Sequence, residues 1–190
     1  MDKLRSVPGE RIMNEYLLKN KRTVYQGNAL DYCECDIELP DGKIAKWDLV
    51  QHNGGAAVLP IDDDGSLILI RQYRLGVNHE LLELPAGKSE PGEDRFATVQ
   101  REMEEEIGYV AKDIRKLLSF APAPAYSEEV TDIFVATGLV KTEARPDADE
   151  FLQAERCCLE DVVNMIISGD IIDGKTIAAV MTYLNIMGEK

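Results

Sequence analysis

The chain has 190 residues, 45% of them hydrophobic, which is enough to bury a core in one domain, or one domain with a small appendage, and argues against a disordered polyelectrolyte. A formal charge of −14 repels phosphate backbones and anionic lipid, so neither a nucleic-acid nor a membrane partner is expected. With no apolar leader in residues 1–8 and no run long enough to span a bilayer, the expected compartment is the cytoplasm.

The first half reads as β-structure. Residues 23–39 alternate loosely and end in Pro40-Asp41-Gly42-Lys43, a hairpin turn signal, after which 44–50 form the return strand. Asn53-Gly54-Gly55 interrupts the pattern and marks a boundary between an appendage, residues 1–52, and a main domain, residues 53–190. Strands at 56–60 and 67–73 follow, separated by a turn at 62–65. Residues 93–107 read as a helix, because Phe96, Val99, Met103 and Ile107 recur at spacings of three and four and stack on one stripe. Gly108 ends it in the left-handed position that favours glycine. Strand-like segments at 130–136 and 151–158 precede two helices, 159–168 and 175–187. Strands and helices intersperse without a strict βαβ rhythm, so the expected class is α/β of the α+β type, a mixed β-sheet sandwiched between helices. The cysteines, Cys33, Cys35, Cys157 and Cys158, form no C-x-x-C pair and read as reduced, buried or half-buried thiols.

Chemistry concentrates in the helix at 93–107. At about 100° per residue, Glu102, Glu105 and Glu106 fall within an arc of about 100° beside the apolar stripe. Carboxylates so gathered repel one another unless a cation lies between them, and hard oxygen donors suit Mg2+, with Mn2+ the alternative. Such an ion also lets an acidic protein handle phosphates. Gly87, after Leu84-Pro85-Ala86, brings the chain close to the helix and offers a carbonyl as a further ligand. Glu93 and Arg101 are placed to staple loop to helix.

Gly87, Glu93, Arg101, Glu102, Glu105, Glu106 and Gly108 match every charged and glycine position of the Nudix box, G-x5-E-x7-R-E-U-x-E-E-x-G-U. Met103 fits its first apolar position, while Tyr109 replaces the usual aliphatic residue at the last. The resemblance implies a Nudix fold and a Nudix pyrophosphohydrolase, in which water attacks one phosphorus of a diphosphate while metal neutralises developing charge. It implies that the Ala86 carbonyl, Glu102 and Glu106 hold metal, with Glu105 helping to hold metal or water.

The flanking residues resemble the ADP-ribose pyrophosphatase branch. They are Arg71-Gln72-Tyr73-Arg74, Leu82-Glu83-Leu84-Pro85-Ala86-Gly87, Pro124 fifteen residues past the box, and the stretch from Gly169 to Thr176. The last of these also resembles GDP-mannose hydrolases. The branch implies that ADP-ribose, or a related nucleoside diphosphate sugar, is cleaved to AMP and ribose 5-phosphate, and that the enzyme is a homodimer. It further implies that Trp47, in the appendage, stacks on adenine, that Arg74 contacts the diphosphate and that Glu128 touches the terminal ribose. Ala125 stands where the family usually has glycine, and His52 where it commonly has arginine. A general base is needed, and His52 and His79 both lie far from the box in sequence, so a carboxylate is expected. By the resemblance this is Glu150, in the acidic stretch 145–151, with Glu105 the alternative. A non-catalytic sensor of ADP-ribose-like ligands is the rival reading, and it usually lacks some of the box glutamates retained here.

Overall fold

The computed structural model describes residues 15–28, 30–90, 92–146 and 151–188. They fall into two units. One ends at His52 and takes in Ala125–Ser127; the other begins at Asn53 and comprises the remainder.

The first unit is an antiparallel sheet of β1 (Leu17–Gln26), β2 (Asp31–Glu38) and β3 (Ile44–Gln51), in that order. The segment 23–39, expected as a single strand, is therefore two. The chain reverses between Gln26 and Asp31, where the Gly27 N–H donates to the Leu30 carbonyl at 3.1 Å. A Cβ at Gly27 would stand 2.5 Å from that same oxygen, which is why the turn needs glycine. The alternation across 23–39 is too loose to mark the turn, so periodicity alone does not reveal it. The hairpin at Pro40-Asp41-Gly42-Lys43 forms as expected, with Gly42 at φ +81°. Along β2, Cys33, Cys35 and Ile37 are buried and their neighbours are not, so one face of this sheet carries its small core with Leu39 and Leu49. The Val50 N–H donates to the Tyr126 carbonyl at 2.7 Å, which is how Ala125–Ser127 joins this unit.

In the second unit, β4 (Gly55–Pro60), β7 (Ala86–Lys88), β8 (Tyr109–Phe120) and β9 (Thr131–Lys141) form a mixed sheet in the order β7-β4-β9-β8, with β4 and β9 parallel. A second, antiparallel sheet has the order β10-β5-β6, from β5 (Leu67–Arg74), β6 (His79–Glu83) and β10 (Leu152–Cys157). Successive residues of a strand point to opposite faces, and here each face meets a helix layer. Ala56, Val58, Ile68, Ile70, Phe134 and Ala136 pack with Val99, Met103 and Ile107 of α1 (Arg95–Ile107). Ala57, Leu59, Leu67, Leu69, Ile133 and Val135 pack with Val162 of α2 (Leu159–Ser168) and with Ala179 and Val180 of α3 (Gly174–Gly188). This is the expected sandwich.

Three departures are instructive. Phe96, expected on the buried stripe, is 40% exposed and meets Phe134 edge-on, with ring centroids 6.4 Å apart. It lies in the first turn of α1, at the margin of the cluster that buries Val99 and Met103. The helix starts at Arg95 rather than Glu93, because the Glu93 side chain is engaged by the loop before it. Cys158 is exposed rather than buried: it caps α2, its Sγ accepting from the Asp161 N–H at 3.4 Å. Among the described residues, no helix is long and apolar enough to cross a membrane.

Candidate active site

Two segments build the site, the loop around β7 and the helix that follows it. β7 pairs with β4 so that Ala86 lies opposite Ala57 and Gly87 opposite Ala56. Arg101 then ties the connecting loop to α1. Its Nε donates to Glu93 Oε1 at 3.2 Å and its Nη2 to the Lys88 carbonyl at 3.2 Å. Glu93 also accepts from the Glu90 N–H and the Thr98 hydroxyl, both at 2.9 Å. The guanidinium, aided by these donors, holds the Glu93 carboxyl down at about 2. The reciprocal bond with Glu93 raises the Arg101 guanidinium above its ordinary value. The staple anticipated from the spacing of these two residues is thus present.

The three convergent glutamates differ in burial. Glu102 and Glu106 are 8% and 2% exposed, whereas the Glu105 side chain remains 40% exposed. The Ala86 N–H donates to Glu106 Oε2 at 2.9 Å, so the main chain at Ala86 lies against this carboxylate. Arg101 Nη1 reaches Glu102 Oε1 at 2.7 Å and Glu105 Oε2 at 3.0 Å, placing one cation between two of the carboxylates. Among the described residues, no three His, Cys, Asp or Glu side chains are already gathered as a complete metal cage. The donor set nevertheless fits a hard divalent cation. It offers buried carboxylate oxygens and adjacent main chain, and Gly87 leaves free the space that a Cβ would take from Glu102.

Behind the glutamates lies a charged network that the motif reading did not assign. Glu83, at the end of β6, is 1% exposed. Its Oε1 accepts from Arg74 Nε at 2.6 Å and its Oε2 from Lys175 Nζ. Burial opposes the charge on Arg74, but Glu83, with Asp173 and Glu106 beyond it, more than offsets this and raises the guanidinium above its ordinary value. Arg74, expected as the diphosphate contact, is thus tied to Glu83 and lies within the field of Glu106. The sequence cue for the others was the stretch from Gly169 to Thr176, which was singled out without a role for Asp173, Lys175 or Thr176.

The remaining expected residues are dispersed. Trp47 belongs to the first unit, where it is 48% exposed and its ring stands 5.7 Å from that of Tyr16. Glu128 is exposed at the start of the segment leading into β9. Glu150 lies outside the described residues. The chain approaching it is anchored on α1, however, since the Thr142 N–H donates to the Gly108 carbonyl at 2.7 Å and the Arg145 N–H to the Glu105 carbonyl at 2.9 Å. An open pocket of about 240 Å³ beside Glu105 is lined by Arg101, Glu104, Glu143 and Arg145.

Comparison with known proteins agrees with this geometry. Residues 51–180 match the model of the NUDIX domain family. An ADP-ribose pyrophosphatase of Bacillus subtilis (strain 168) is 36% identical over 87% of this chain and 90% of its own length. A methanol dehydrogenase activator of Bacillus methanolicus is 35% identical over 93% of this chain and 95% of its own. The crystal structure of an ADP compounds hydrolase superposes with a TM-score of 0.81 over 95% of this chain and 98% of that one, at 24% identity, and so shares the fold. Nudix hydrolases are generally dependent on divalent metal. With its box intact, three of its glutamates carried on α1 and its residues 51–180 matched by the family model, this chain belongs to the Nudix family of pyrophosphohydrolases.

Proposed function

We propose that the enzyme hydrolyses the diphosphate bond of ADP-ribose or a closely related nucleoside diphosphate sugar, releasing AMP and ribose 5-phosphate, with Mg2+ as the cofactor and Mn2+ able to replace it. The observation that carries this reading is the pair of buried carboxylates, Glu102 and Glu106, set against the Ala86–Gly87 main chain. Arg101 meets Glu102 and the Ala86 N–H meets Glu106, and a divalent cation would neutralise the remaining negative charge that burial penalises.

In this reading Glu102, Glu106 and the Ala86 carbonyl hold the ion and Glu105 assists. When bound, the divalent cation supplies Lewis-acid neutralisation of charge on the phosphoryl oxygens. Arg74 binds the diphosphate, while Trp47 receives the adenine and Glu128 the terminal ribose. Glu150 accepts the proton of the attacking water, and Glu105 is the alternative base. The first unit serves base binding and dimerisation. Its three strands carry three buried apolar side chains, too few to sustain a core, and Tyr16, Leu18, Val24 and Tyr25 are exposed along its edge. The reading includes a homodimer working in the cytoplasm, with no nucleic-acid or membrane partner.

The stretch from Gly169 to Thr176 resembles both ADP-ribose and GDP-mannose hydrolases and does not separate them, so GDP-mannose is the second candidate. A panel of ADP-ribose, GDP-mannose, ADP-glucose, NADH and diadenosine polyphosphates, read by release of nucleoside monophosphate in Mg2+, decides between them. ADP-ribose should have the highest kcat/KM. Preference for GDP-mannose would move the substrate, and no turnover of any compound would return the protein to the sensor reading.

A further inference from the structure

Glu83 sits in an apolar setting, after Leu81 and Leu82 and before Leu84, all three of them buried. A carboxylate there must be paired, and one cation would suffice. It has two, from elements far apart in the chain. Lys175 is held in turn by Asp173 Oδ1 at 3.0 Å. Asp173 Oδ2 accepts from the Thr176 N–H at 2.9 Å and from its hydroxyl at 2.6 Å, and Thr176 Oγ1 accepts from the Leu84 N–H at 2.9 Å. Leu84 adjoins Glu83, so these bonds close a ring. Glu83 and Asp173 balance Arg74 and Lys175 in charge, and exposure rises outward: 1% for the Glu83 side chain, 15% for Lys175 and Asp173, 40% for Arg74.

Buried ion pairs are poor stabilisers compared with apolar side chains of similar volume, so stability does not explain this one. Geometry does. An arginine beside a carboxylate favours the bidentate fork, in which two N–H groups take both oxygens. Here Arg74 reaches only Oε1, through Nε, because Lys175 holds Oε2. We infer that Lys175 and Glu83 are positioning residues, with Lys175 denying Arg74 the second oxygen of Glu83 so that the outer edge of the guanidinium stays directed at the diphosphate. The ring also fixes the start of the Leu84–Ala86 turn, whose far end donates to Glu106. This inference rests on Arg74 being the diphosphate contact.

The test compares K175M, K175R, the double variant E83Q/K175M and R74M. Each is read for kcat and KM with ADP-ribose, for ADP-ribose affinity by calorimetry in Ca2+, and for melting temperature. In K175M the freed carboxylate draws Arg74 into a fork, so KM should rise and affinity fall about tenfold, with kcat little changed. K175R refills Oε2 and should behave as wild type. In E83Q/K175M the neutral amide no longer captures Arg74, so KM should return toward wild type, a recovery that a purely structural role would not give. R74M should raise KM at least as far as K175M does. Wild-type KM in K175M, or a double variant no better than K175M, overturns the inference while leaving Arg74 in its role if R74M is impaired. Unchanged KM in R74M overturns both. Should K175M fail to fold, K175Q is read in its place against the same outcomes.

Discussion

The Glu102 carboxylate occupies the space that any side chain on Gly87 would need: a Cβ built there stands 1.7 Å from Glu102 Oε1 and 2.0 Å from its Cδ. The glycine at the head of the box is therefore a steric requirement of the carboxylate beside it. Gly87→Ala should push Glu102 out of the cradle and reduce turnover by at least about a hundredfold, at saturating metal as well as at low metal. Activity near wild type would show that Glu102 can leave without consequence.

Glu106 gives the complementary experiment. Glu106→Gln removes one of the converging charges yet keeps an oxygen for the Ala86 N–H, so it should cost chemistry more than fold. Turnover should fall by at least about a hundredfold, while the melting temperature in EDTA stays equal or rises. A variant that hydrolyses at the normal rate removes Glu106 from the site.

Acid stability reports on the staple. The Glu93 carboxyl titrates at about 2 in the folded protein, below its ordinary 4.5, chiefly because of the bond from Arg101. A depressed carboxyl contributes stability above the unfolded value that is lost as pH falls through the folded one. The contribution of Glu93 is thus complete above about pH 4.5 and gone near pH 2. Glu93→Gln should lower the melting temperature at pH 7 and flatten its decline between pH 4.5 and pH 2. Parallel pH profiles for the two proteins would mean that the ion pair adds nothing.

Trp47 is the sole tryptophan, so its fluorescence reports one position. If its half-exposed ring takes the adenine, ADP-ribose in Ca2+ should quench or shift the emission saturably, and ribose 5-phosphate should not. Trp47→Ala should raise KM more than it lowers kcat, by about 1–3 kcal/mol of binding. A silent spectrum together with an unchanged KM would leave Trp47 a strand residue packed beside Tyr16.

How much was legible depended on whether the signal was local. The apolar spacing of Val99, Met103 and Ile107 revealed α1, and the box put its glutamates in register, because one helix carries both patterns. β8 escaped, since Lys112, Asp113, Arg115 and Lys116 break its alternation on a sheet edge with no fully buried residue, and β7 has only three residues. Glu83 and Lys175 are 92 positions apart and share no spacing rule, so only the folded chain brings them together. The strand break at Gly27 was hidden for a different reason, because the alternation around it is too loose to mark where one strand stops.

The main-chain bond from Val50 to Tyr126 has a consequence for biosynthesis. The strand ending at Gln51 leaves the ribosome long before Tyr126 does, and until then it lacks this neighbour. During that interval the nascent chain exposes an unsatisfied strand end next to apolar residues, a feature that favours pairing with the wrong chain. A fragment ending at His52 would keep that defect permanently. Expression of the isolated appendage should therefore yield aggregates, unless residues 125–127 are supplied by a redesigned connection.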